Sequence, residues 1–396
     1  MRARTGAAAA LLALALLSGC GSEGDDQGSA GPGRTSTRPA PAQRVIVQTT
    51  ENGFNAAEVY REAAPGVVTI RSVFGGGGGD GSNPFGGPSA AEGSGFVLDS
   101  DGHIVTNAHV VTDGGGDGGS RRPARAVFVE FPDRNIVSAE VVGFDPFADV
   151  ALLKVRPDGF DLRPLELGDD SELVVGQPVA VIGSPFGEQQ SLSVGIVSAT
   201  DRSVRSLTQF QIEGAIQTDA SINPGNSGGP LLDADARVIG ISQQIETSSG
   251  ANDGVGFAVP VSAIRRSVAQ LKRSGKVEYA YIGVSSQALY PQLARRLDLD
   301  TEFGGLVAEV VSGGPADEAG LRGGEERVRF QVGAYQTGGD VILSVNGREV
   351  VLPDDLARFI SSYRPGEEVT LEVLRDGEVE DIRVTLGKRP AGIPSG

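Results

Sequence analysis

The sequence predicts a mostly β chain in two parts, an antiparallel barrel or sandwich followed by a smaller β-rich unit. Three observations lead there. Its 396 residues exceed what one ordinary core accommodates and suggest about two domains. Short β-rich runs recur from about Val67 to Val259, with turn residues and no helical pattern between them. A second β-rich stretch, Tyr281 to about Lys388, follows the one clear helical segment.

The elements follow in chain order. Arg2 and Arg4 precede an apolar run from Ala7 to Leu17 and then small residues, the layout of an export signal. That run is shorter than the about 18 apolar residues a membrane span takes. Leu17-Ser18-Gly19-Cys20 resembles a bacterial lipobox, in which cleavage after residue 19 leaves Cys20 as a lipidated terminus. The alternative is a plain signal peptide that contains a cysteine. Acyl chains contribute about 0.8 kcal/mol per buried CH₂, so a multiply acylated Cys20 would anchor the chain to a membrane. From residue 20 to 52 the chain is rich in Gly, Ser, Pro and Thr and reads as a flexible tether.

Strands are expected at Val67–Ile70, Gly95–Leu98, Ala126–Val129, Val150–Leu153, Pro178–Ile182 and Arg237–Ile241. Gly75 to Gly87 and Asp113 to Gly119 read as surface loops. Pro260 then opens a helix from Val261 to about Ser274, with Lys272 and Arg273 near its end and Gly275 beyond it. The domain limits expected are 53–275 and 280–390.

Composition excludes several functions. The net charge of −17 argues against nucleic-acid binding, which depends on Lys and Arg neutralising phosphates. One cysteine and two histidines leave no disulfide framework and too few ligands for a four-ligand structural zinc site. No metal or other cofactor is implied. Gly275-Lys276 and Gly387-Lys388 are not followed by Ser or Thr, so no phosphate-binding loop supports ATP-driven chemistry.

Three segments carry chemistry. They are Thr106-Asn107-Ala108-His109-Val110, Asp149 opening the apolar run Val150–Val155, and Gly225-Asn226-Ser227-Gly228-Gly229. A serine hydroxyl needs a neighbouring base to attack a carbonyl, and histidine suits that task near neutral pH. The base needs an acceptor to fix its tautomer and balance the imidazolium, which Asp149 supplies. A developing oxyanion needs converging backbone N–H groups, and a glycine-rich turn lets the main chain approach. The turn Gly225, Asn226, Ser227 would supply that hole, through the N–H groups of Gly225 and Ser227. Asp145 is a rival to Asp149, but Asp145-Pro146 reads as turn chemistry at the surface. His103, after Asp101-Gly102, reads as the start of a strand.

These segments, in the order His, Asp, Ser, resemble the chymotrypsin-like serine proteases, and in particular the HtrA/Deg family. The resemblance covers about residues 53 to 390. It implies a double β-barrel protease domain followed by one PDZ domain. It also implies a pocket for the residue before the scissile bond, lined by Ser221 and by Ile239, Gly240 and Ile241. With no acid at its base, small or medium aliphatic residues are expected there.

Tyr281-Ile282-Gly283-Val284 is similar to the carboxylate-binding loop that opens the family's PDZ domains, with a matching helix expected from Pro353 to Ser361. Such a domain adds a C-terminal peptide as a strand. The chain departs from the family by a segment from about Gly324 to Gly338, inserted after Ala319-Gly320-Leu321. The resemblance implies unfolded or misfolded proteins as substrates and C-terminal peptides as PDZ ligands. It also implies a homotrimer, with Phe54 and Tyr60 as either trimer contacts or core anchors. The competing readings are an anchored holdase or PDZ scaffold with a silent protease domain, and a narrow signalling protease. A protease would lose activity below pH of about 6 as His109 protonates.

Overall fold

The computed structural model describes residues 53–75, 89–114, 121–184, 190–208, 210–223, 225–243 and 254–390. The signal and Cys20, the tether, and most of the two glycine-rich loops lie outside these residues. Two closed six-stranded barrels come first, then a five-stranded antiparallel sheet with short additions.

A helix, Ala56–Ala63, leads in, capped by Asn55, whose side chain accepts the Glu58 N–H at 3.2 Å. Phe54 is buried in the chain's own core, and Tyr60 packs against it while donating its hydroxyl to the Gln190 carbonyl. Both act here as core anchors.

Around the first barrel, neighbours run Val67–Val73, Ala90–Val97, His103–Thr106, Val150–Lys154, Ile136–Asp145 and Ala126–Glu130. Around the second they run Ser191–Arg205, Gln211–Thr218, Gly256–Pro260, Val238–Gln243, Pro230–Leu232 and Pro178–Gly183. Val-, Ile- and Leu-rich strands fill both interiors; Ile70, Ile104 and Leu153 share one cluster, and Val181, Ile216 and Leu231 another.

The linking helix is Val261–Ser274, the span expected from sequence. Gly275 closes it with φ +69, donating its N–H to the Leu271 carbonyl at 2.8 Å. Buried Ile264, Val268 and Leu271 pack it on the barrels.

The last sheet orders Val284–Leu289, Gly304–Val310, Val341–Val345, Glu368–Arg375 and Glu378–Thr385. The helix against it is Asp355–Ser361, starting later than expected. The inserted segment is itself ordered, as a hairpin of Glu326–Phe330 with Gly333–Thr337. Among the described residues no helix is long and apolar enough to cross a membrane.

Candidate active site

His109 sits in a one-turn helix, Ala108–Val111, at the end of strand His103–Thr106, as the sequence suggested. Asp149 begins the neighbouring buried strand, and the pairing of Thr106 with Ala151 brings the two together. The Asp149 side chain is fully buried; His109 keeps 29% of its side chain exposed. Oδ2 of Asp149 accepts from His109 Nδ1 at 2.7 Å, and Oδ1 accepts the His109 backbone N–H at 2.9 Å. With Nδ1 donating, Nε2 is left as the basic nitrogen. Burial disfavours the charged imidazole, but the charge and hydrogen bond of Asp149 outweigh it. The pKa of His109 is therefore raised above its ordinary value, with the Arg121 charge opposing.

Ser227 comes from the second barrel. Its backbone carbonyl accepts the Ser94 N–H of the first barrel at 2.8 Å, and Ser94 Oγ donates to the Gly225 carbonyl at 2.6 Å. Gly228 has φ +88, and a Cβ there would lie 2.1 Å from the Ser94 carbonyl oxygen and 2.4 Å from Thr106 Oγ1. Only glycine permits that approach, which seats the serine turn on the strand that leads to His109. Ser227 Oγ is buried and makes no hydrogen bond among the described residues, so it is not bonded to His109 in this structure.

Around the expected oxyanion hole, the Asn226 N–H donates to the Asn223 carbonyl at 2.9 Å and the Gly228 N–H to the Ser242 carbonyl at 3.0 Å. Among the described residues the N–H groups of Gly225 and Ser227 donate to no backbone carbonyl. Asn226 thus serves the turn as a spacer, with its Nδ2 reaching the Ser221 carbonyl at 3.3 Å.

Sequence reasoning missed the dipeptide that stitches the site together. Ser242 Oγ lies 2.5 Å from the Asn226 carbonyl and 3.0 Å from that of Gly229, holding the serine turn. The next residue, Gln243, donates Nε2 to Asp149 Oδ2 at 3.2 Å. Asn107 adds support by donating Nδ2 to the Asp149 carbonyl at 2.8 Å. The available signal was a polar pair ending the apolar run Val238–Ile241.

The side chains of Ile239 and Ile241 lie wholly in two separate hydrophobic cores. Of the residues expected to line the pocket, Ser221 is the exposed one, and its N–H donates to Ser193 Oγ at 2.7 Å.

Residues 93–241 match the trypsin-like peptidase domain family and residues 280–386 the PDZ domain family. The chain is 41% identical over 310 residues to a probable periplasmic serine endoprotease DegP-like of Ectopseudomonas mendocina (strain ymp), covering 78% of this chain and 59% of that protein. A protein of the same description from Pseudomonas putida (strain W619) is 42% identical over 298 residues, of which this chain spans 56% of the length. Among solved structures, an HtrA-type protease AlgW with tripeptide aligns at TM-score 0.68 and 32% identity, over 85% of this chain and 97% of that one. The chain belongs to the HtrA-type protease family.

In this HtrA-type chain the PDZ loop residues adjoin one another at the edge of the last sheet. Tyr281 pairs with Gly387, the carbonyls of Ile282 and Gly283 accept from Ala316 and Val311, and Val284 opens the terminal strand. Ser286 of that strand and Leu356 of the helix both lie beside Gly305. The inserted hairpin braces the same strand: Gln287 Nε2 donates to the Ala334 carbonyl at 3.0 Å, and its Oε1 accepts the Gln336 N–H at 2.9 Å.

One metal-like grouping occurs among the described residues, Asp99, Asp101 and His103, with ligand atoms within 4.8 Å. Asp99 already pairs with Lys272 at 2.5 Å and with His103 at 2.8 Å. Burial opposes its ionisation, but these partners win and hold its pKa down at about 2.

Proposed function

We propose that this chain is a serine endopeptidase with His109, Asp149 and Ser227 as its triad, acting outside the cytoplasm without ATP on misfolded or damaged proteins. The observation that carries the reading is the buried, unbonded Ser227 hydroxyl on a turn seated against the strand that presents an Asp149-anchored imidazole. Ser227 Oγ would attack the scissile carbonyl as His109 Nε2 takes its proton. The N–H groups of Gly225 and Ser227 would hold the oxyanion. The imidazolium then protonates the leaving amine, and a water repeats the sequence on the acyl-enzyme. The relatives' description as periplasmic supports the location.

In this reading Cys20 is the lipid anchor, the chain assembles as a homotrimer, and the free edge of strand Val284–Leu289 takes C-terminal peptides through Tyr281, Ile282, Gly283 and Val284. Small or medium aliphatic residues are favoured before the scissile bond. A peptide library in which basic residues are cut best would remove that preference.

A fluorophosphonate probe tests the central claim. It should label Ser227, and Ser227→Ala should lower turnover by on the order of 10⁴ or more. Absence of labelling, with and without added C-terminal peptides, would refute the enzyme and leave the scaffold.

A further inference from the structure

Four residues before Asp149 stands a second aspartate that has no place in the triad. Asp145 closes strand Ile136–Asp145 and, contrary to a surface turn, is 0% exposed. Its Oδ1 accepts the N–H of Phe147 at 2.9 Å and of Ala148 at 3.2 Å. Its Oδ2 accepts the hydroxyls of Ser267 and Tyr279, each at 2.6 Å. A polar group removed from water is costly unless it is hydrogen-bonded, and both oxygens of Asp145 are.

The four donors come from three parts of the molecule: the turn itself, the linking helix, and the segment entering the C-terminal domain. Burial pushes the Tyr279 hydroxyl's pKa well above its ordinary value and the Asp145 charge adds to this, so it remains a donor. The Tyr279 ring also packs on Phe147 at 5.2 Å and lies under the guanidinium groups of Arg266 and Arg389 at 4.9 and 5.1 Å.

Only Pro146, Phe147 and Ala148 separate this hub from Asp149. Asp149 itself has φ +54, a conformation that is costly for a residue with a side chain and persists only where its surroundings enforce it. Its carbonyl is held on the far side by Asn107 Nδ2 and by the Ala108 N–H at 3.2 Å. The near side has Asp145. Catalytic groups must be held to within about 0.5 Å, and a turn this short transmits movement of one end to the other.

We infer that Asp145 is a positioning residue for Asp149, and that Tyr279 makes the entry to the C-terminal domain part of that support. The inference rests on the protease reading above. Its consequence is that the triad is braced from outside the two barrels.

The experiment uses the full chain. Tyr279→Phe keeps the ring and removes the hydroxyl; Asp145→Asn removes the charge; Ser267→Ala is the mildest of the three. One readout is kcat per site titrated with fluorophosphonate, alongside KM. The other is the titration of the His109 imidazole by NMR, simple in a chain with only two histidines. Tyr279→Phe should lower kcat about 10-fold at unchanged KM. The pKa of His109 should also fall toward 6.5 as Asp149 draws away. The double variant with Asp145→Asn should cost no more than the worse single one. A loss of thermal stability alone, with wild-type kcat per titrated site and an unchanged His109 titration, would overturn the inference. Should the wild-type chain fail to label, the protease reading falls, while the His109 titration still decides whether Asp145 sets Asp149.

Discussion

At Asp149 the protein keeps an ionised carboxylate out of water, and the donors around it decide how good a base His109 can be. His109 supplies two of them and Gln243 the third. Replacing Gln243 by Met keeps much of the volume and deletes the amide. The Asp149 oxygen that Gln243 shared is then left to the imidazole alone, and the His109 pKa rises further above its ordinary value. We expect peptide cleavage at pH 7 to fall about 3- to 10-fold, with the acid limb of the pH profile displaced upward. An unmoved limb would show that Gln243 only fills space. The wild-type limb is itself informative. Catalysis needs neutral His109, so activity is lost as pH falls through its pKa. Because that pKa is raised from 6.5, the midpoint should lie above 6.5 rather than near pH 6. Stability has the opposite sign. A raised histidine stabilises the fold most below its unfolded pKa, and the contribution disappears as pH climbs through the folded value.

The serine turn is the element on which the site depends most. Gly228→Ala would force a Cβ into the Ser94 carbonyl at a backbone angle of φ +88. We expect a loss of about 2 kcal/mol or more in thermal unfolding and little residual probe labelling of Ser227. Wild-type labelling would mean that the turn relaxes at no cost to the site. This element was legible from sequence because its chemistry needs adjacent residue types in a fixed local order, Gly225 to Gly229. The helix Val261–Ser274 was legible for a related reason, since Pro260 and Gly275 punctuate it locally. What escaped depends on partners far along the chain. Gln243 acquires meaning only beside Asp149. Asp145 looked like a surface turn until Ser267 and Tyr279 closed over it. The segment near Gly324–Gly338 was read only as an insertion, although Val328, Phe330 and Val332 alternate with polar residues as a strand does, and the Gln287 side chain hydrogen-bonds its hairpin to the sheet. Ile239 and Ile241 read correctly as strand residues, but periodicity alone does not say which of two cores a side chain enters.

Across the whole molecule the second barrel meets the C-terminal helix at a pair of acids. Ser203 Oγ lies 2.5 Å from Glu213 Oε2 and is also hydrogen-bonded to Asp354 Oδ2, at the start of that helix. A hydroxyl has one proton to donate, so both bonds form only when one carboxyl carries a proton. Burial raises the pKa of Glu213, and Asp354's charge adds to this; the Ser203 hydrogen bond and the Arg389 and Arg358 charges oppose it. A carboxyl whose pKa is raised in the docked arrangement favours docking when protonated. That contribution is complete below its ordinary value of 4.5 and fades as pH rises through the raised one. Docking of the C-terminal domain should therefore be tighter near pH of about 5 than near pH of about 8. The reverse holds for Asp355, whose pKa is lowered: burial raises it, but the Val351 and Leu352 N–H groups and Arg358 prevail, and its contribution fails only in stronger acid. Hydrogen exchange of the Asp355–Ser361 helix, corrected for intrinsic rates, measures the difference. Greater protection at the lower pH is expected in the wild-type chain. Glu213→Gln, which keeps a neutral polar partner for Ser203, should hold protection nearly constant across the range. Equal protection at both pH values in the wild-type chain would show that the two acids do not share a proton and that Arg358 and Arg389 neutralise them instead.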